Sequence, residues 1–195
     1  MMRLSWLLWT VSVVAQDRLA TGSLLVARHE LTDPNFAASV VLVVRHSEQG
    51  AMGLILNRAT EREISAIISD LKGTVYQGGP VSPRQVYALL RNPKKKPDEK
   101  AIVEDVYLMS ERAQLNSARE YRVFQGYAGW GPGQLENEVR LGAWHVVAAT
   151  ADLVFAVDPE KLWLRLIERT EQRVAGGGAS RPELGRPQIQ SGPER

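Results

Sequence analysis

The sequence predicts an α+β fold built on one large mixed sheet, and three observations carry that prediction. Apolar strand-like runs outnumber helical ones. The helical runs do not alternate regularly with them, as a doubly wound sheet would require. The first strands are apolar at nearly every position, so both faces of the sheet must be covered. At 195 residues, 44% apolar and 24% charged, the chain can bury about 70% of its unfolded surface around one core. It has no cysteine, which at this length costs it no stability and removes thiol nucleophiles, thiolate zinc sites and iron–sulfur clusters together.

Taken in order, the chain opens on Met1-Met2-Arg3 and then has no charge from Leu4 to Ala15, with Val13 and Ala15 preceding a cleavage position after Ala15. Residues 1–18 read as a signal peptide or leader, and the expected location is exported, periplasmic or extracellular. The alternatives are a cytoplasmic protein in which this stretch is an extra buried element, or a start placed too far upstream. Twelve residues rise only about 18 Å as a helix, against roughly 30 Å of hydrocarbon, so no transmembrane helix is expected after processing.

Residues 19–171 hold the domain. Ser23 to Ala27 is a short strand, and 39–44 with 51–56 form a hairpin around a four-residue loop, Ser47-Glu48-Gln49-Gly50. Thr60 and Glu63 match a capping box, and Ile64, Ile67, Ile68 and Leu71 recur at helical spacing, which predicts an amphipathic helix over 61–71. Further strands are expected at 85–90, 104–109, 121–126 and 144–149. The stretch 91–100, RNPKKKPDEK, is a solvated loop. Pro132 starts a short helix in which Glu136 and Glu138 complement the macrodipole. Asp158 as N-cap and Pro159 after it open a last helix that turns Leu162, Trp163, Leu166 and Ile167 inward. From 172 to 195 the glycines and prolines leave too little apolar surface to offset ordering entropy, so a disordered tail is expected.

The net charge of +2 belongs to the two ends, because residues 17–171 hold 19 basic against 20 acidic residues. A nearly neutral domain lacks the clustered charge on which phosphate-backbone binding rests, so nucleic acid is not favoured as a partner. The three histidines, at 29, 46 and 145, have no zinc spacing. His46 is expected at a strand end, hydrogen-bonded to the hairpin loop. It faces Ala51, while Asn57 faces Val40, so these two polar residues share no site. GxSxG, GxxxxGK[ST] and HExxH patterns are absent, and Glu136 and Glu138 stand too close in sequence for a general acid and base on one helix face. No catalytic residue, metal ligand or cofactor is assigned.

The strongest candidate surface is 126–134. Gly129, Gly131 and Gly133, with Gln134 at the helix start, would turn backbone N–H groups outward as at anion sites, with Trp130 as an apolar wall. The competing reading is plain tight-turn architecture, in which the glycines supply positive φ. Gly78-Gly79-Pro80 is read as a place where two strands cross closely.

The strings LATGSLLVA (19–27), DPNFAASVVLVVRH (33–46), GAMGLILNR (50–58), YQGGPV (76–81), GYAGWGPGQLENEV (126–139) and AWHVVAATADLVF (143–155) together resemble the YqgE/AlgH family over about residues 19–168. Arg28-His29 departs from that pattern, standing where a Met-Pro-like pair is usual. The resemblance implies an α+β domain whose mixed sheet folds into a pseudo-barrel flanked by helices. It also implies a regulatory role, since one branch is named for a proposed part in exopolysaccharide production, and it brings no established catalytic residues. The expected function is therefore a non-catalytic regulatory or protein-interaction domain with an unidentified protein partner. The alternative is a small-anion or nucleotide-binding protein or enzyme using the surface at 126–134.

Overall fold

In the computed structural model, residues 18–91, 100–109 and 112–177 are described. The leader, the lysine-rich loop and most of the expected tail lie outside them. Nine strands form one mixed sheet: β1 (Ser23–Ala27), β2 (Val40–Ser47), β3 (Gly50–Ile55), β4 (Ala59–Glu63), β5 (Thr74–Gln77), β6 (Val81–Arg91), β7 (Val106–Leu108), β8 (Glu120–Trp130) and β9 (Trp144–Ala148). Three helices complete it: α1 (Gln134–Arg140), α2 (Ala151–Val154) and α3 (Leu162–Gly177). The α+β prediction holds. Strand order is β4-β5-β8-β3-β2-β1-β9, with β6 on the other side of β8 and β7 beyond it. The end strands β4 and β9 do not pair with each other, so the sheet stays open and is not closed into a barrel.

The 11-residue strand β8 joins two halves. Its first half pairs in parallel with β5, from Val75↔Val123 to Gln77↔Gln125, and its last residues pair antiparallel with β3, from Ala51↔Trp130 to Gly53↔Ala128. The hand-over falls at Gly78, whose N–H donates to Gln125 O while its carbonyl accepts from Ile55 N–H. A Cβ on Gly78, Gly79 or Gly126 would overlap the backbone of the crossing strand, under the 3.0 Å that real Cβ atoms keep. The close crossing expected at Gly78-Gly79 is therefore present, and Gly126, at φ +70°, is its counterpart on β8.

Continuous apolar strands are covered on both faces, as expected. On one side Leu24, Val26, Leu42, Leu54, Leu89 and Phe124 pack against Val154, Leu162, Leu166 and Ile167 of α2 and α3. On the other, Leu25, Val41, Val43 and Ile55 pack under Leu135 of α1 with Trp130 and Trp144. A third cluster joins Ile64, Ile68, Val75, Ala88, Leu90 and Val123.

The helix predicted over 61–71 does not form. Residues 59–63 are strand β4, paired antiparallel to β5 at Ala59↔Tyr76 and Glu63↔Thr74, and only Ile64–Ala66 makes a 3-10 turn. Thr60 Oγ1 donates to Val75 O at 2.7 Å instead of capping a helix. An isolated helix of this length is marginal, and the edge of β5 offers backbone partners from outside the local window. Ile64 and Ile68 are buried all the same, because a tight turn also brings i and i+4 to one side.

The β2–β3 connection is also tighter than expected. Ser47 pairs with Gly50, leaving a two-residue turn at Glu48-Gln49, while His46 faces Ala51 as anticipated. The last helix begins with a 3-10 turn at Pro159–Lys161, buries Leu162, Leu166 and Ile167, and continues to Gly177, six residues past the expected domain boundary. Its Asp158 side chain makes no capping hydrogen bond.

Candidate functional site

Two irregularities in otherwise alternating strands build an open concavity. In β2, Val43 pairs with Gly53 but Arg45 with Met52, so Val44 is an extra, bulged residue. Strict alternation would send Arg45 toward α1 along with Val41 and Val43. The bulge shifts the parity, so His46 turns to α1 and Arg45 to the opposite face. In β8 the same happens at Gly126: before it Phe124 faces the α3 side, and after it Tyr127 does, while Ala128 and Trp130 face α1. Opposite Gly126 the partner strand loops out, since Val81 pairs with Tyr127 but Val86 with Gln125.

The result is an open cleft of about 750 Å³. Its lining includes Arg45, Ser47 and Gln49 from the hairpin, Gln85 and Tyr87 from β6, and Tyr127 and Gly129 from β8. The Tyr87 and Tyr127 rings meet edge to face with centroids 5.7 Å apart. Burial, then the neighbouring Tyr127, pushes the Tyr87 phenol up, while the Arg45 charge pulls the other way. Tyr87 therefore stays protonated near neutral pH. Ser47 is engaged in the turn, its Oγ accepting from Gln49 N–H at 3.3 Å.

The candidate surface read from the sequence is divided by the sheet. Gly129 and Trp130 line the cleft, whereas Gly131, Gly133 and Gln134 lie at the start of α1. Trp130 is 5% exposed; its indole turns inward, stacked on Phe36 at 5.9 Å and edge-on to Trp144 at 6.3 Å. Gly131 N–H donates to Gln134 Oε1 at 3.1 Å, and Gly133, at φ +72°, is the N-cap residue of α1. The amide expected to point outward is thus used by the chain itself.

The carboxylates of α1 are structural. Glu138 Oε2 accepts from both indoles, Trp130 Nε1 and Trp144 Nε1, each at 2.9 Å, and Oε1 accepts from Gln134 Nε2 at 3.0 Å. Glu136 sits in the first helical turn, as expected, and meets His46 Nε2 at 2.7 Å. His46 therefore bonds to α1 and not to its own loop. The Glu136 backbone amide, then His46, hold the Glu136 carboxyl below the usual range. His29 packs edge-on to Trp163 at 5.0 Å and lies 3.6 Å from Glu171, and His145 Nε2 is buried without a hydrogen-bond partner among the described residues. Among the described residues no three His, Cys, Asp or Glu side chains assemble as a metal set.

Sequence reasoning missed Arg45, Gln85, Tyr87 and Tyr127. The one available signal was Gly126 inside a strand pattern, which marks a bulge.

These features define a class: an α+β domain on an open mixed sheet, with a polar, aromatic-sided cleft and tightly crossed glycine strands. The AlgH-like family model matches residues 24–175, and the chain belongs to that family. A UPF0301 protein of Streptomyces coelicolor is 38% identical over 165 residues, covering 76% of this chain and 86% of the relative. One from Chlorobium limicola is 33% identical over 181 residues, covering 86% and 95%. Among solved structures, the AlgH protein of Pseudomonas aeruginosa is similar with a TM-score of 0.63 and 25% identity, over 84% of this chain and 95% of that one. A Corynebacterium diphtheriae protein shares the fold at a TM-score of 0.69 and 24% identity, over 79% and 88%.

Proposed function

We propose that this chain is a non-catalytic recognition domain with a regulatory role, and that the cleft between the β2–β3 hairpin, β6 and β8 is its recognition surface. The observation that carries this reading is the composition of the lining. Among the described residues it presents hydrogen-bonding side chains, Arg45, Gln49, Gln85, Tyr87 and Tyr127, but no carboxylate, imidazole, amine or thiol. General acid–base work needs a group that titrates near the operating pH, and neither a guanidinium nor a phenol held protonated provides one. A serine nucleophile needs an adjacent base, and the nearest histidine in sequence, His46, points to the other face. A shaped, hydrogen-bonding lining without such groups suits binding.

The partner in this reading is a protein. A photo-crosslinking residue at Gln85 of the full chain, in the native host, is expected to give a discrete adduct that the same residue at the exposed Leu164 of α3 does not, and that Arg45→Glu removes. Equal labelling at both positions, or none, overturns the assignment. The reading places the encounter outside the cytoplasm, on the strength of the leader pattern in residues 1–18. Loss of residues 1–15 in the intact mass of an exported fraction supports that placement; full-length protein in the cytoplasm overturns it.

A further inference from the structure

Among the described residues that line the cleft one carries a formal charge, and none of the others compensates it. Arg45 is exposed at its mouth and makes no hydrogen bond or ion pair among the described residues. Among the described residues some other arginines of the sheet are engaged, whereas the exposed Arg84 of β6 is not. Arg91 reaches Asp105, Glu120 and Asp152 within 3.3 Å, and Arg62 reaches Gln125 at 3.0 Å. Among the described residues no acidic side chain lines the cleft to compete for the guanidinium. The Val44 bulge is what turns Arg45 to this side, and bulges commonly re-aim a side chain in this way.

The remaining walls are matched to a flat body. Tyr87 and Tyr127 offer ring surface and two hydroxyls with no hydrogen-bond partner among the described residues, and Gln85 adds an amide. The floor is open at Gly129, where a Cβ would sit 3.1 Å from the Tyr127 ring. About 750 Å³ lies within the range of small-molecule sites and is far larger than a bare inorganic anion needs. We propose that the cleft binds a small organic anion with a planar body, its carboxylate or phosphate held by Arg45 and its plane set against the Tyr87–Tyr127 pair. A guanidinium favours this ligand class because its planar fork donates two parallel hydrogen bonds to a carboxylate or phosphate. The site is separate from the glycine turn at 131–133, and the assignment rests on the cleft being the recognition surface.

The test is an amide-resolved titration of the isotopically labelled full chain. The probes are adenosine monophosphate and 4-hydroxybenzoate as planar anions, adenosine and 4-hydroxybenzamide as their neutral matches, and inorganic phosphate as a bare anion. Saturable shifts at Gly50, Tyr127 and Gly129 are expected with at least one planar anion, and which one responds separates a nucleotide from an aryl carboxylate. Its neutral match should bind roughly tenfold to a hundredfold more weakly, and Arg45→Gln should cost the same factor, with the rest of the spectrum unchanged. Tyr87→Ala should weaken the planar anion and leave phosphate unaffected. No saturable shift with either planar anion at millimolar concentration, or equal binding by Arg45→Gln, overturns the proposal. Phosphate binding as tightly as both planar anions overturns the planar part. A crosslinked protein partner without any titration response leaves the recognition reading standing and removes the anion site. A titration response without a crosslink leaves the cleft standing as a recognition surface for the anion and removes the protein partner.

Discussion

Trp130 donates its indole N–H to Glu138 Oε2 at 2.9 Å, locking the last residue of β8 to the helix that follows it. Trp144 of the edge strand β9 donates to the same oxygen, so one carboxylate joins two strands and α1 beneath Phe36. Glu138→Ala should strand both indoles and cost about 3 kcal/mol, whereas Glu138→Gln, which keeps an acceptor oxygen, should cost about 1 kcal/mol. Urea unfolding followed by tryptophan fluorescence reads both. Equal losses in the two variants would mean that the indoles require the charged carboxylate and that a neutral amide oxygen does not replace it.

Gly126 and Gly133 have nearly the same φ, +70° and +72°, but different surroundings. A Cβ at Gly126 would press on Gly79 O, Val81 O and Pro83 Cα, while nothing lies within 4 Å of one at Gly133. Gly133→Ala should therefore cost only the left-handed backbone term, about 1 kcal/mol, and Gly126→Ala about 3 kcal/mol because backbone must also move. Similar denaturation midpoints for the two would show that the strand crossing yields easily.

Asn57 closes the start of β2 with both ends of its amide, Oδ1 accepting from Val40 N–H at 2.8 Å and Nδ2 donating to Ala38 O at 2.9 Å. Asn57→Ala should lose about 2 kcal/mol. Asn57→Asp, which keeps the acceptor and loses the donor, should fall between that variant and the parent. Amide hydrogen exchange at Val40 should quicken in the alanine variant first.

His145 is held below its ordinary pKa of 6.5, mainly by burial and then by Arg28, with Glu171 and Glu30 opposing. The unfolded chain then binds the proton more readily, so this residue contributes stability that is complete above pH 6.5 and is lost as pH falls toward its folded value. His145→Gln should flatten the pH dependence of the unfolding midpoint below pH 6.5 relative to the parent. Parallel pH profiles for the two proteins would show that His145 is freely protonated in the fold.

Much of the sheet is legible in the sequence because its strands bury both faces. Leu24 to Ala27, Val40 to Val43 and Leu54 to Leu56 are apolar without interruption, and no polar alternative competes for them. The Gly78-Gly79 crossing is readable for a similar reason, since a glycine pair inside a strand pattern has few other uses. The stretch 61–71 is not legible: helical spacing and a capping box are local signals, and the edge of β5 that captures Ala59–Glu63 comes from residues farther along the chain.

What the sequence determined by itself, then, is the α+β class and the apolar core, which follow from composition and local periodicity, and the family, which follows from the resemblance of its ordered motifs. The tertiary structure alone decided the cleft. Arg45 and Tyr127 face it only because an extra residue at Val44 and the positive-φ break at Gly126, where β6 loops out, shift the parity of their strands, and a shift of one residue reverses which side chains reach which face. It also decided that Trp130 and Glu138 hold the core together instead of forming a surface. Side-chain direction in a strand depends on register against partners far away in sequence, and no local pattern encodes it.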